Sequence, residues 1–298
     1  MKIIITGSLG NISKPLTQEL VQKGHQITVI SSNRKNQTAI ETLGAKAAIG
    51  SVENSTFLTE TFTGADAVYC MIPRADYFDQ NLDLDAFTQK IGDNYAEAIQ
   101  KSGVKRVVFL SSIGAHLEKD SGIILRYHEI EAVLNKLLDA AITFMRPTSF
   151  FYNLEAYIPM IKHQGIIIAN YGADTIIPWV SPLDIASAIA EEITTPLDGR
   201  KIRYVASEEL TGDETARILG NAIGKPDLKW VLASNEETLA GLTNIGMQPK
   251  IAEGLVEMYA GLYSGLLSED YCRNKPAIMG KVKLTHYAKE FASVFNQK

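Results

Sequence analysis

Short apolar runs alternate with amphipathic stretches through the first half of the chain. The runs Lys2–Thr6, Gln26–Ser31, Lys46–Ile49, Ala67–Met71, Arg106–Ser111 and Ile142–Arg146 are rich in isoleucine and valine. Their near-continuous apolar character predicts strands buried on both faces. Between them the sequence predicts helices over Ser13–Lys23, Lys35–Leu43, Ser55–Phe62, Leu84–Ser102 and Arg126–Asp139. In the first of these, Ile12, Leu16 and Leu20 share a face with Val21 beside them. Pro15 sits in its first turn, where a missing N–H is no loss, and Gly24 ends it. Strand and helix in repeated alternation, with short connections, predict an α/β fold built on a doubly wound parallel sheet.

The second half breaks this rhythm. Residues 150–171 read as an aromatic loop. Ser181-Pro-Leu-Asp184 then opens the apolar helix Ile185–Ile193, with Ser181 as N-cap, Pro182 in the first turn and Asp184 favoured by the helix dipole. Lys201–Val205 reads as a strand, and Thr211-Gly-Asp-Glu214 is a capping box for a helix through Ala222. In Lys250–Leu267, residues Ile251, Leu255, Met258, Leu262 and Leu266 keep helical step. We therefore expect a first domain over residues 1–150, joined by about 181–206, and a smaller α+β lobe from 151–180 and 207–298.

Composition narrows the function. The 298 residues carry a formal net charge of −5 and no clustered Lys/Arg run, which argues against nucleic-acid binding. The only cysteines, Cys70 and Cys272, make no disulfide framework, and a reducing cytoplasm is the expected location. The N-terminus lacks a signal-peptide pattern, and no apolar run approaches the roughly 20 residues of a membrane helix. The sequons at Asn11, Asn36 and Asn54 carry no meaning without secretion. The five histidines are scattered without zinc-ligand spacing, so no metal is expected, and no Gly-x-Ser-x-Gly elbow is present.

The first strand runs directly into Gly7-Ser-Leu-Gly10-Asn-Ile-Ser13. A bare match of this kind also describes an ordinary strand-to-helix turn. Here it opens a long βαβ series, the context in which Gly7 permits a tight turn, Gly10 admits a pyrophosphate, and Ser13 packs helix on sheet. The helix N-terminus adds free N–H groups and a positive dipole end. From Gln26 to Ile40 the chain has no acid to bind ribose hydroxyls. It reads Ser31-Ser32-Asn33-Arg34-Lys35 instead, which suits a 2′-phosphate gripped by Arg34 and points to NADP over NAD. A solvated basic turn is the alternative. The ends of later strands, Ser111-Ser112-Ile113 and Met71-Ile72-Pro73-Arg74, fall where ligands sit in doubly wound sheets. Capping of the strand end is an equally common role for such serines.

Taken together, Thr6-Gly7-Ser-Leu-Gly10-Asn-Ile12, Gly64-Ala-Asp66-Ala-Val and Ser111-Ser112 resemble the short-chain dehydrogenase/reductase superfamily, and more closely its atypical NmrA-like branch. So do His128-Glu-Ile-Glu131, Phe144-Met-Arg146-Pro147, Ser181-Pro-Leu-Asp184-Ile-Ala and Leu210-Thr211-Gly. The order and spacing of these pieces over nearly the whole chain carry the resemblance. It implies a Rossmann-type fold with a smaller C-terminal substrate lobe. It also implies an NADPH-dependent quinone, azo or triphenylmethane-dye reductase, or a redox-sensing regulator. Thr6, Gly7, Leu9, Gly10, Asn11, Ile12, Gly50, Ser51, Met71, Ile72, Pro73, Ser111, Pro147, Thr148 and Phe150 would then touch the cofactor. The superfamily's Tyr-x-x-x-Lys pair is missing: four residues after Tyr127 stands Glu131, a carboxylate expected to raise the phenol's pKa. The match Tyr271-x-x-x-Lys275 reads as coincidence in the C-terminal lobe. Direct hydride transfer to a small acceptor needs positioning more than a tuned acid. His128, Tyr127 and Ser112 remain candidate catalytic groups, with His128 alternatively packing under the cofactor loop. Arg74, Tyr77, Phe78, Ile113, Phe150, Phe151 and Tyr152 are candidate substrate contacts, the aromatic ones suited to a flat apolar acceptor or else to ordinary core. A non-catalytic NADP(H) sensor and a sugar-nucleotide epimerase are the competing readings, the second opposed by the missing Lys. Monomer and homodimer both stay open.

Overall fold

Isoleucine and valine build the strands because both faces of each strand meet helices. The computed structural model describes residues 1–297. Its first half runs β1 (Lys2–Ile5), α1 (Ser13–Gln22), β2 (Gln26–Ser31), α2 (Gln37–Thr42), β3 (Lys46–Ile49), α3 (Ser55–Phe62), β4 (Ala67–Cys70), α4 (Leu84–Ser102), β5 (Arg106–Leu110), α5 (Leu125–Asn135) and β6 (Ala141–Pro147). There follow β7 (Ser149–Phe150), α6 (Ile158–Gln164), β8 (Ile166–Ala169), β9 (Ile176–Val180), α7 (Pro182–Thr194), β10 (Arg200–Val205), β11 (Glu208–Thr211), α8 (Gly212–Ala222), β12 (Lys229–Leu232), α9 (Asn235–Asn244), α10 (Pro249–Tyr263), α11 (Glu269–Arg273) and α12 (Leu284–Gln297).

Seven strands form one sheet in the order β10-β6-β5-β4-β1-β2-β3, and every pair is parallel. The chain reverses its direction of travel between β1 and β4, which makes the gap between their carboxyl ends the switch point where such sheets bind ligands. Alternation sorts the side chains. Ile3 and Ile5 face a core shared with Leu16 and Leu20 of α1 and Ile185 and Ile189 of α7. Ile4 faces the opposite core, with Phe62 of α3, Tyr95 of α4 and Leu134 of α5. The sheet is therefore wound on both faces, as the sequence predicts. Helix α4 has the predicted bounds, capped by the Asp83 carboxylate on Ala86 N–H and closed by Gly103 at φ 72°.

Residues 150–171 depart from the loop expectation. Phe151–Tyr157 is a 3-10 helix leading into α6, which Gly165 ends in the left-handed region before β8. Phe151, Leu154, Ile158 and Ile161 are buried, and their spacing of three, four and three is helical. The rings in this segment hide a periodic face. These residues join a second core with Trp179, Trp230, Phe291 and Phe295, around the β11-β9-β7 and β12-β8 sheets.

The edge strand β10 is tied to the sheet by Glu192, near the end of α7 and 3% exposed in its side chain. Lys201 Nζ reaches Glu192 Oε1 at 2.5 Å, Arg203 Nη1 reaches it at 2.8 Å, and Arg106 Nη2 lies 3.5 Å from Oε2. Burial works against the charged carboxylate, but the hydrogen bonds from Lys201 and Arg203 prevail and hold its pKa below the ordinary 4.5. A depressed folded pKa contributes stability that is present above the unfolded value and lost as pH falls through the folded one. Glu192→Gln is therefore expected to lower unfolding free energy at pH 7 by about 1–3 kcal/mol. The deficit should shrink below about pH 4.5. Thermal unfolding across pH 3–7 checks this; a deficit independent of pH would contradict it.

Candidate functional site

At the end of β1 the chain turns through two left-handed residues, Gly7 at φ 86° and Ser8 at φ 53°. Gly10 N–H closes the turn on Gly7 O at 3.0 Å, and Ser13 Oγ donates to Thr6 O at 2.8 Å. The Thr6 hydroxyl in turn accepts from Met71 N–H at 3.0 Å, joining the carboxyl ends of β1 and β4. A Cβ on Gly7 would lie 2.5 Å from Ser13 Oγ and 3.2 Å from the Met71 side chain, so only glycine fits. Ile12 precedes α1 with no side-chain cap, leaving the helix N-terminus without a competing acceptor. Gly10 and Asn11 are exposed there, Leu9 packs at the rim of the first core, and Ile12 is buried in it.

The end of β2 is stitched to this turn. Ser8 Oγ donates to Ser31 Oγ at 2.9 Å, and Asn36 Nδ2 reaches Ser8 Oγ at 2.9 Å and Ser31 Oγ at 3.3 Å. Asn36 escapes the sequence reading, because nothing in a lone Asn five residues past the strand marks it as the tie. Ser31 is buried, while Ser32, Asn33, Arg34 and Lys35 are exposed. Asn33 Oδ1 caps Lys35 N–H, opening a 3-10 turn that shortens the helix expected over Lys35–Leu43. Among the described residues, no ion pair engages Arg34 or Lys35. Gly50 N–H bonds Ser31 O at 3.0 Å, and a Cβ there would strike the Phe57 ring at 2.6 Å. Ser51 Oγ accepts from Glu53 N–H.

After β4, Tyr95 OH donates to Met71 O at 2.7 Å. Met71, Leu9 and Phe150 all pack against the first core. Ile72 packs on the opposite core, and Pro73 is half-buried beside it. Tyr77 packs with Ile251 and Leu255 of α10, and Gln248 N–H bonds Tyr77 O at 2.9 Å, whereas Phe78 is 50% exposed. Burial raises the pKa of Tyr77, Tyr127 and Tyr152, and the three phenols further oppose one another's ionisation through the pairs Tyr77–Tyr127, Tyr127–Tyr152 and Tyr77–Tyr152. The Arg74 guanidinium acts the other way on Tyr77 and Tyr152. The structure thus brings Arg74 within electrostatic reach of Tyr77 and Tyr152, and Tyr127 within reach of the same two phenols.

The α5 arrangement corrects one expectation. Tyr127 is indeed held protonated, but by burial and by Tyr77, and not by Glu131. Glu131 turns instead to Arg146 on β6, with Nε at 3.0 Å from Oε1 and Nη2 at 2.6 Å from Oε2, and accepts from Ser111 Oγ at 2.5 Å. His128 Nδ1 lies 3.1 Å from Ala115 O; only an N–H can serve that carbonyl, so Nε2 is the exchangeable face. Ser112 is half-buried and its carbonyl accepts from Ala115 N–H. Ile113 is 5% exposed and packs with Tyr204 and Tyr271, inside the protein and not at a cleft wall.

At the end of β6, Ile113 N–H bonds Pro147 O and Thr148 N–H bonds Val205 O. Thr148 is 3% exposed, and its hydroxyl has no partner among the described residues. Phe150 and Tyr152 lie with ring centroids 5.0 Å apart. Phe151 is fully buried and stacks on Tyr287 at 5.5 Å, which assigns it to the second core and not to a substrate wall. The Gly7 cradle and the orphan Thr148 hydroxyl, at the ends of β1 and β6, both fit a long ligand laid across the strand ends. Both cysteines are free, Cys70 buried and Cys272 exposed. Among the described residues there is no cluster of three or more metal-ligating side chains, and no helix is long and apolar enough to cross a membrane.

Sheet order, helix layers and the glycine turn define a Rossmann-type α/β protein. The chain belongs to the NmrA-like family, which matches residues 1–262. It is 23% identical to an NAD(P)H azoreductase of Xenophilus azovorans, over 98% of this chain and 99% of that one. It superposes on the NADPH complex of the NADPH-dependent quinone oxidoreductase of Escherichia coli with a TM-score of 0.80, at 20% identity over 97% and 99% of the two chains. On the NADP(H) complex of the Citrobacter sp. triphenylmethane reductase the TM-score is 0.76, at 21% identity over 97% and 99%. At these identities the superpositions establish the shared fold.

Proposed function

We propose that this protein is an NADPH-dependent oxidoreductase that passes a hydride to a small flat acceptor, such as a quinone or an azo compound, without a Tyr-x-x-x-Lys pair. The observation that carries this reading is the glycine cradle beside an exposed, unpaired Arg34. The relatives' names, azoreductase and quinone oxidoreductase, support the same class. The backbone of Gly7, Leu9, Gly10, Asn11 and Ile12 would hold the pyrophosphate, with Thr6 bracing the turn. Ser32, Asn33 and Arg34 would hold the 2′-phosphate, with Ser31 fixing their turn, and Gly50 and Ser51 would lie against the adenine. Met71, Ile72, Pro73, Ser111, Pro147, Thr148 and Phe150 would line the nicotinamide end. NADPH, when bound, supplies the hydride. A quinone takes that hydride and one proton and leaves as hydroquinone, the proton coming from water or from His128 Nε2.

Residues 151–180 and 207–298 act as the substrate lobe in this reading. Arg74, Tyr77 and Tyr152 would flank the acceptor. The neutral phenols offer O–H donors to an oxygen that gains charge as the hydride arrives, and Arg74 offers a cation. The test is NADPH oxidation with a panel of quinones and azo compounds. Turnover above the background rate is expected; NADPH binding with no turnover on any acceptor would favour a non-catalytic sensor instead. Arg34→Ala is expected to weaken NADPH binding about tenfold and leave NADH unchanged, the loss of one charge-assisted phosphate contact. Parallel titrations check this, and equal NADPH affinity in the variant would remove the 2′-phosphate role.

A further inference from the structure

Glu131 stands four residues after Tyr127, and it is not idle. It lies 5% exposed on α5, gripped by two atoms of the Arg146 guanidinium. Arg146 is 4% exposed, and its remaining nitrogen reaches Asp270 Oδ2 on α11 at 3.2 Å and Tyr204 OH at 3.3 Å. Tyr204 OH donates to Asp270 Oδ2 at 2.6 Å, so the far end of the network is closed as well. Ion pairs buried this deeply contribute little net stability over an apolar replacement. Their position therefore needs another reason. The near end supplies one: the Glu131 carboxylate takes the hydroxyl hydrogen of Ser111, the first residue past β5. A serine hydroxyl has one hydrogen and two lone pairs. With its hydrogen spent on Glu131, Ser111 can meet a ligand only as an acceptor.

We propose that Glu131 is a positioning residue of the nicotinamide site. It fixes the Ser111 hydroxyl as an acceptor for an N–H or O–H group of the bound dinucleotide, while Arg146 and Asp270 hold Glu131 in register. This rests on the NADPH reading above and adds a role for Glu131. The test is a double-mutant cycle on the full chain with Ser111→Ala, Glu131→Met and the double variant, read as the NADPH dissociation constant, with thermal unfolding as the control for folding. Each single change is expected to weaken NADPH about tenfold, and the double variant to be no weaker than the weaker single one, since both remove one device. Multiplication to about a hundredfold, or unchanged affinity in Glu131→Met, would overturn the proposal, because a merely structural role does not couple to Ser111. If Glu131→Met does not fold, Arg146→Lys takes its place in the cycle; it keeps the charge and loses the fork, and the same two outcomes decide. The readout needs no turnover. A wild-type chain that binds NADPH but reduces nothing ends the proposed reaction and leaves the cycle intact, whereas one that binds no NADPH overturns both.

Discussion

Arg146→Met should lower the unfolding free energy by about 3–5 kcal/mol, the usual loss when one partner of a buried ion pair is removed. The change keeps most of the side chain's volume, so lost packing is a small part of the effect. The larger part is electrostatic. Glu131 accepts two hydrogen bonds from Arg146 at a site 5% exposed, and no other cation among the described residues pairs with it. Asp270 loses its cation too, though it is less buried and keeps the Tyr204 hydroxyl. The double variant Glu131→Met with Arg146→Met should recover most of the loss, because an apolar pair of similar volume removes the buried charge at position 131 and leaves only the less buried Asp270 without its cation. Urea unfolding of the wild type, the single and the double variant measures all three. A single variant within about 1 kcal/mol of wild type would mean that water or backbone groups already satisfy Glu131. A double variant as unstable as the single one would mean that packing, and not charge, dominates at this site.

The same network shows where the sequence stops speaking. The segments that directly follow an apolar run are legible in position: the Gly7 turn after β1, the Ser31–Arg34 segment after β2, Met71 after β4 and Ser111 after β5. A parallel strand buried on both faces advertises itself, and the chemistry of a doubly wound sheet gathers at its carboxyl end. The places of the first six strands along the chain and the α4 bounds are read from the same alternation. What a single sequence hides is pairing at a distance. Glu131 and Arg146 are 15 residues apart and Arg146 and Asp270 are 124 apart, and no local period links them. Asn36 bridging Ser8 and Ser31 is of the same kind. The second half is harder for other reasons. Helix α9 has no buried residue, so it carries no apolar stripe to read. Strand β9 contains Pro178 within its antiparallel pairing to β11, a residue that argues against a strand in sequence. Helix α12 is different. Leu284, Tyr287, Ala288, Phe291 and Phe295 step at helical spacing and are buried, so the sequence carries its apolar stripe. Asp184 has distant partners as well as a local role. Beyond its place in the first turn of α7 it accepts Lys281 N–H at 3.0 Å, Val282 N–H at 3.0 Å and Ser207 Oγ at 2.6 Å, clipping a segment a hundred residues later in the chain.

Gly7→Ala should weaken NADPH binding by about 30- to 150-fold, equivalent to about 2–3 kcal/mol. Two costs add. An L-residue held in the left-handed region loses about 1–2 kcal/mol, and Gly7 sits there at φ 86°. The new Cβ would also lie 2.5 Å from Ser13 Oγ. Ser13 cannot swing away freely, because its hydroxyl holds Thr6 O at 2.8 Å inside the protein; releasing that bond forfeits about 1 kcal/mol. The turn can relieve both by opening, but opening moves Ser8 off Ile30 O and Ser31, and with it the seam between the ends of β1 and β2. The fold survives, since the strands on either side keep their ladders, and the damage falls on the surface that the pyrophosphate would meet. Calorimetric titration with NADPH and thermal unfolding without it separate the two. A drop in affinity with a small shift in unfolding temperature is expected. Unchanged affinity would mean that residues 7–13 are an ordinary strand-to-helix turn, and the cofactor would have to lie elsewhere on the sheet. Ser13→Ala combined with Gly7→Ala sharpens the result, because it removes the clashing oxygen while leaving the backbone strain. Partial recovery of binding in that double variant would show that the close approach of the turn to α1, and not the φ angle alone, is what makes glycine necessary at position 7.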